Sequence, residues 1–351
     1  MYAGGPGGFV IVSVYRTWKT QQKRQKGEDG GSGCSGVPEY VMNAQIDIGE
    51  VRLQTERLVL RPWCENDLED FYAYASVDGV GQMAGWKPHR DREETRKVLT
   101  RFIEGRKTFA LEYRGKVIGS VGIEKYPEEQ FPELAPEACR AVGFVLAREY
   151  WGMGLMPEAL REVSRYLMEQ VGLDALLCGH FLWNRQSFRV QEKCGFMHYA
   201  FIRVETEAGT VEDSETRILT RKRWQWVKLH DAAEKVRHAR TISRYVEAGG
   251  VAAAVESASG KIYTGVCVDT SSSLGICAER NAIFSMLTQG EYEIRRVLAV
   301  MPDGKTGAPC GACRELMVQL MPDTYRKIEV MLDYDHGKIV TLGELTPEWW
   351  I

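Results

Sequence analysis

Three cysteines and one glutamate carry the strongest chemical signal in the 351-residue chain: Cys277-Ala278-Glu279, then Pro309-Cys310, then Cys313 as the second half of a Cys-x-x-Cys. Three thiolates on one zinc ion leave the fourth tetrahedral position open, as a catalytic rather than a closed structural site requires. Zinc held in this way lowers the pKa of its water to about 7, which gives hydrolysis a nucleophile at neutral pH. Each cysteine cluster begins a predicted helix, at Cys277 and at Cys310, and helix N-termini favour the thiolate form. A carboxylate two residues after a ligand cannot easily bind the same metal, so Glu279 suits a proton shuttle between the water and a substrate ring. A stray Cys-x-x-Cys beside an unrelated core thiol is the ordinary alternative. The Cys-x-Glu at its own helix start and the proline before Cys310 count against it.

A second signal is Tyr150-Trp151-Gly152-Met153-Gly154-Leu155-Met156-Pro157-Glu158, which follows a predicted strand and opens a predicted helix. Gly152 and Gly154 let backbone amides approach a pyrophosphate, and the helix N-terminus adds partial positive charge. A Gly-x-Gly before a helix is common in tight turns, so its surroundings decide its meaning.

The elements that would hold these groups alternate between strand and helix. Residues 1–41, rich in Gly, Ser, Lys and Gln, are expected to be disordered, and Met42 stands just before the first ordered pattern. Arg57–Arg61 alternates as a strand, and Leu68, Phe71, Tyr72 and Ala75 recur at helical spacing, as do Val98, Leu99, Phe102 and Ile103. Phe109–Tyr113 and Val117–Ile123 flank Arg114-Gly115-Lys116 as a hairpin, Val142–Leu146 and Ala175–Phe181 are strands, and two last strands around Glu207-Ala208-Gly209 end near Trp224. A second unit begins near Val227, with Ala232, Val236, Ala239 and Ile242 on one opening helix. A hairpin around Ser257-Ala258-Ser259-Gly260 follows, and then helix, strand, helix and a final strand at Ile328–Leu332. No flexible linker separates the units, which are expected to abut.

With 44% hydrophobic and 26% charged residues the composition is that of a soluble globular protein, and the length allows two domains. A formal charge of -3 gives no electrostatic footprint for duplex nucleic acid, so a small-molecule substrate is expected. No apolar run is long enough for a membrane span. Nine scattered cysteines without a disulfide pattern point to a reducing, cytoplasmic setting.

The stretches Ile276–Ala282 and Pro309–Arg314 closely resemble the small cytidine deaminase and blasticidin-S deaminase families, and the resemblance runs from Val227 to the C-terminus. It implies a cytidine deaminase-like α/β/α sandwich over 227–351, a nucleoside-like small-molecule substrate, a homo-oligomer formed through this domain, and an Arg at 280 that offsets the charge of three thiolates. The chain departs where those enzymes carry an Asn-x-Glu that grips ribose: Cys267 and Asp269 stand there, and an aromatic residue expected near Gly249 is missing. A modified cytosine nucleoside of the blasticidin kind is therefore expected to be preferred to cytidine. His336 and the other histidines show no ligand spacing.

The Gly-x-Gly stretch resembles the acyl-CoA loop of the GNAT N-acetyltransferases, especially the ribosomal-protein alanine acetyltransferase-like branch. Thr55–Arg61, Asn184 with Ser187, and Glu192-Lys193-Cys194-Gly195-Phe196 also match, in order. This implies an α/β GNAT fold over 51–225, with a mixed, mostly antiparallel sheet. It also implies acetyl-CoA on Leu146, Gly152, Met153, Gly154 and Asn184, Ser187 either as hydroxyl partner of the leaving thiolate or as a helix-capping or packing residue, and an amine acceptor that is a small molecule or a protein N-terminus. Glu149 stands where the loop usually has Gln or Arg, the usual tyrosine acid is replaced by Val190-Gln191, and Glu124 is one candidate base. The expected protein is a bifunctional deaminase and acetyltransferase. The alternative is a deaminase whose first unit only binds acetyl-CoA or recruits a partner.

Overall fold

The computed structural model describes residues 43–349, so the expected disorder of 1–41 lies outside the described residues. The chain divides into two compact units, Met1–Arg221 and Lys222–Ile351. Among the described residues no helix is long and apolar enough to cross a membrane.

The first unit is built on β1 (Leu53–Gln54), β2 (Val59–Pro62), β3 (Thr108–Tyr113), β4 (Lys116–Glu124), β5 (Cys139–Leu146), β6 (Ala175–Phe181), β7 (Met197–Glu205) and β8 (Val211–Thr220). Helices α1 (Leu68–Ala75), α2 (Arg92–Gly105), α3 (Leu155–Arg165) and α4 (Arg185–Lys193) are interspersed. The strands form one sheet in the order β1-β2-β3-β4-β5-β6-β8-β7. β4 is buried continuously from Val117 to Ile123, as a central strand covered on both faces must be. Arg114 and Gly115, at φ 53 and 77, make the tight turn into it, a left-handed pair that matches the twist of the hairpin.

The neighbours β5 and β6 are parallel, whereas the other pairs in this sheet are antiparallel. Their pairing covers only Cys139–Ala141 against Ala175–Leu177. Beyond those residues the strands part, and a cavity lined by Val142, Gly143 and Phe144 on one side and Gly179, His180 and Phe181 on the other opens between them. α1 and α2 close one side of the sheet through Trp63, Phe71 and Phe102, whose rings lie 4.9 to 5.6 Å apart.

The second unit holds α5 (Arg221–Val236), β9 (Arg240–Ser243), β10 (Val246–Ser257), β11 (Ile262–Thr270), α6 (Ala278–Thr288), β12 (Ile294–Val300), α7 (Gly311–Leu320), β13 (Glu329–Asp333), β14 (Lys338–Thr341) and α8 (Leu342–Leu345). Its sheet runs β11-β10-β12-β13-β14, with β9 on β10, and only β12 and β13 pair in parallel. Val255, Ile283, Met286, Val297, Met317 and Val330 form its core between the sheet and helices α6 and α7.

Three boundaries differ from those expected. The last strand of the first unit stops at Thr220, and Trp224 lies inside α5, where Trp226, Leu229 and Ala233 are buried at helical spacing. The helix beginning there ends at Val236, and Ile242 belongs to β9 because residues 240–243 pair with the edge of β10. The second unit continues past Leu332 into β14 and α8, the latter opened by a capping box between Thr341 and Glu344.

Candidate active sites

Cys277 and Cys310 are the N-cap residues of α6 and α7, both with extended backbone, so each side chain projects from the positive end of a helix. Cys313 lies one turn into α7 and is buried. The Cys310 sulfur is 3.3 Å from that of Cys277 and 3.4 Å from that of Cys313, and the trio lies within 4.8 Å. Burial pushes the Cys277 and Cys313 thiols up. Three soft donors this close, on two helix starts, fit a dication such as zinc, which would hold them ionised. Arg280 adds a cation beside Cys277, and its Nε has no hydrogen-bond partner. Glu279, in the first turn of α6, is only 5% exposed, and its carboxyl faces the Cys313 thiol.

Neighbouring backbone fixes these positions. Val268 and Ile276 exchange two backbone hydrogen bonds of 3.0 and 2.9 Å, which fold the preceding loop so that Cys277 returns beside β11. Gly265 on β11 lies against α6 so closely that a Cβ there would sit 2.3 Å from the Ala282 nitrogen and 2.6 Å from the Ala278 oxygen. The Asn281 side chain donates to the Val266 carbonyl at 3.0 Å and locks the same contact. On the other helix Arg314 donates to the Pro309 and Leu345 carbonyls, at 2.8 and 3.0 Å, and so holds the turn before Cys310. Gly265, Asn281 and Arg314 were not singled out from the sequence. A glycine facing a helix start and a polar residue four positions after a ligand were the available signals.

The departures at Cys267, Asp269 and Gly249 have visible causes. The Cys267 sulfur is buried and accepts the Val251 N–H at 3.2 Å, while Asp269 is exposed. Gly249 has φ +81, and a Cβ there would meet the His238 carbonyl at 2.1 Å, so no aromatic side chain fits at that bulge. His336 is exposed and bonded to Asp333, remote from ligand duty.

In the first unit Leu146, Gly152, Gly154, Asn184 and Ser187 line one cleft of about 410 Å³, together with Phe144, Trp151 and Arg185. Met153 is not among its lining residues, and the residue is 44% exposed. Gly152 and Gly154 have φ 78 and 75, the left-handed region that side chains disfavour, and Gly154 is the N-cap of α3. The Leu146 carbonyl accepts the Trp151 indole N–H at 2.8 Å. Asn184 caps α4 by accepting the Ser187 N–H and donates to the Met83 carbonyl, both at 3.0 Å, so it ties the two walls of the cleft together. Glu149 is exposed and is not among the lining residues.

The loop is pinned from beneath by Arg57, which donates to the Met153 carbonyl at 2.9 Å and pairs with Glu158 at 2.6 Å. Burial pushes Glu158 up, but hydrogen bonds from Thr55 and Arg57 and the Arg57 charge outweigh it, and the carboxyl titrates below its usual range. The Thr55–Arg61 pattern therefore has a local purpose that its spacing did not disclose. Ser187 also borders the inner cavity between β5 and β6, which Glu124 and His180 line, and burial raises the Glu124 carboxyl.

Two family models match the chain: an acetyltransferase (GNAT) domain over residues 57–197 and the cytidine and deoxycytidylate deaminase zinc-binding region over residues 227–326. A cytidine deaminase of Halalkalibacterium halodurans is 34% identical over 101 residues, covering 28% of this chain and 74% of the relative. A blasticidin-S deaminase of Bacillus cereus is 31% identical over 108 residues, again 28% of this chain and 74% of the relative. On the other side, an uncharacterized N-acetyltransferase of Bacillus subtilis, YoaA, is 28% identical over 158 residues, covering 43% of this chain and 85% of the relative.

Proposed function

Since this chain belongs to the cytidine deaminase family through its second unit and carries a GNAT acetyltransferase domain in its first, we propose that it deaminates a cytosine nucleoside or related aminopyrimidine and transfers acetyl from acetyl-CoA to an amine. The observation that carries the first half is the convergence of the Cys277, Cys310 and Cys313 sulfurs beside the buried Glu279. These cysteines would hold zinc, which when bound supplies an acidified water. Glu279 then moves the protons. It takes a proton from the water as the water oxygen attacks the amine-bearing carbon and gives it to the ring nitrogen, then carries the proton of the added hydroxyl to the exocyclic nitrogen, which leaves as ammonia when the C–N bond breaks. Arg280 offsets the surplus thiolate charge.

The substrate side supports a modified nucleoside. With Cys267 turned onto the Val251 amide and Asp269 exposed, the usual ribose grip is not reproduced. The similarity to a blasticidin-S deaminase points the same way. A homo-oligomer through this domain and a cytoplasmic setting complete the reading.

In the first unit the cleft would hold acetyl-CoA, with the pyrophosphate on the Gly152–Gly154 backbone and the thioester beside Ser187. An acceptor amine, deprotonated by Glu124, forms the C–N bond. The C–S bond breaks, its electron pair stays on sulfur, and the Ser187 hydroxyl stabilises that thiolate.

The test uses the full chain. Metal analysis is expected to give about one zinc per chain. Mass spectrometry should show loss of the amine from blasticidin S faster than from cytidine, and acetyl transfer from acetyl-CoA to members of an amine panel. A metal-free protein with no turnover of any cytosine nucleoside would sink the deaminase half. Binding of acetyl-CoA without transfer to any amine would leave the first unit a binding module.

A further inference from the structure

Gln191 is a fully buried amide on α4, and all of its polar groups are engaged. Its Nε2 donates to the Gly179 carbonyl at 3.1 Å and to the Ser187 Oγ at 3.2 Å, and its Oε1 meets His180 Nδ1 at 3.2 Å. A carbonyl can only accept, so the nitrogen end of the amide must face Gly179, which fixes the side chain the right way round. His180 Nδ1 must then carry a proton. Its Nε2 lies 3.5 Å from Glu215, whose carboxylate is engaged by Arg217 and His198, each at 3.0 Å. Its ring packs on Phe188 at 5.6 Å.

This has a consequence for Ser187. A hydroxyl has two lone pairs and one proton. The Gln191 N–H occupies a lone pair, and among the described residues the Ser187 proton is given to no protein group. Ser187 borders both the cleft and the inner cavity, the place where the two meet.

We propose that Gln191, clamped by His180 and the Gly179 carbonyl, is a positioning residue that turns the Ser187 proton into the cleft, toward the sulfur that leaves as the acetyl group is transferred. The inference rests on the acetyl-CoA reading of that cleft. When the C–S bond breaks, its electron pair stays on sulfur, and an O–H already aimed there stabilises the thiolate without reorienting.

The probe is coenzyme A itself, so no acceptor need be known. Coenzyme A is bound to the full-length protein, and the ionisation of its thiol is followed by the ultraviolet absorbance of the thiolate as pH is varied. In the wild type the midpoint should lie below that of free coenzyme A. Ser187→Ala should raise it by about one pH unit, a tenfold change in thiolate at fixed pH. Gln191→Leu, which removes the donor, should raise it equally, with affinity for the neutral thiol unchanged. Gln191→Glu keeps the size but offers only acceptors, so it should draw the Ser187 proton inward and give the same shift. The Ser187→Ala/Gln191→Leu double variant should shift no further than either alone. A wild-type midpoint in both Gln191 variants, with Ser187→Ala displaced, overturns the positioning role alone. An unmoved midpoint in Ser187→Ala overturns the serine's role and this inference with it. Failure of the wild type to bind coenzyme A overturns the acetyl-CoA reading beneath both.

Discussion

Replacing Gly265 with alanine adds one methyl group at the point where β11 meets α6, and its effect can be worked from the geometry. The new Cβ would lie 2.3 Å from the Ala282 nitrogen, 2.6 Å from the Ala278 oxygen and 2.7 Å from the Asn281 carbonyl carbon. All three are backbone atoms of α6, so no side chain can swing away. Ordinary contact requires roughly 3.5 Å, so the helix must retreat by about 1 Å. Cys277 caps that helix and Glu279 lies in its first turn, whereas Cys310 and Cys313 ride on α7. The retreat therefore opens the cysteine triangle at one corner, and zinc–sulfur bonds tolerate only about 0.2 Å. Overpacking of this kind costs about 1–3 kcal/mol, and a misplacement of about 1 Å costs roughly 10²-fold in turnover. Zinc per chain, thermal unfolding and deamination of blasticidin S should all fall, while acetyl-CoA binding by the first unit should not change. Wild-type zinc content and turnover in Gly265→Ala would show that the close approach does not set the position of α6.

Three further outcomes are expected. Glu279→Gln should retain fold and zinc but lose deaminase activity by at least ~10²–10⁴-fold, because Gln cannot take and return a proton; normal turnover would refute the shuttle. Gly154→Val should weaken acetyl-CoA binding more than tenfold with deamination intact, through backbone strain of about 1–3 kcal/mol at φ 75, since the nearest neighbour, an Arg57 nitrogen at 3.6 Å, leaves room for a methyl. Calorimetry showing unchanged affinity would place the pyrophosphate elsewhere. Because the folded Glu158 titrates below its usual range, its grip on Arg57 is complete above that range and is lost as pH falls through the lowered value. Acetyl-CoA affinity should therefore drop on acidification in the wild type and already be low, and flat over the same window, in Glu158→Gln.

Much of this was legible because the chemistry sits at element boundaries. Cys277 and Cys310 were expected at helix starts, and both are N-caps. Gly152 and Gly154 lie at the helix start where the sequence places them, and both have positive φ. What escaped notice depends on contacts distant in sequence. Nothing local to Gly265 announces helix backbone packed so closely that a Cβ would sit 2.3 Å from the Ala282 nitrogen, and nothing local to Glu158 announces Arg57. Periodicity misled at Ile242, where pairing with β10 overrides a helical spacing that ends at Val236. At α8 the signal was present: Thr341 and Glu344 form a capping box three residues apart, in a stretch too short to show a period.

The order of the last two strands of the first unit bears on how the chain is made. β6 shares three parallel pairs with β5 but seven antiparallel pairs, Ala175 to Phe181, with β8. β7, which is synthesised earlier, pairs only with β8. Until Thr220 has left the ribosome, β6 has no second neighbour and β7 has no neighbour at all. Both wait as open edges able to recruit another nascent chain. A stall that leaves the chain emerged only to between Glu205 and Val211 would strand both edges at once, whereas a stall after α5 has emerged leaves both strands paired with β8.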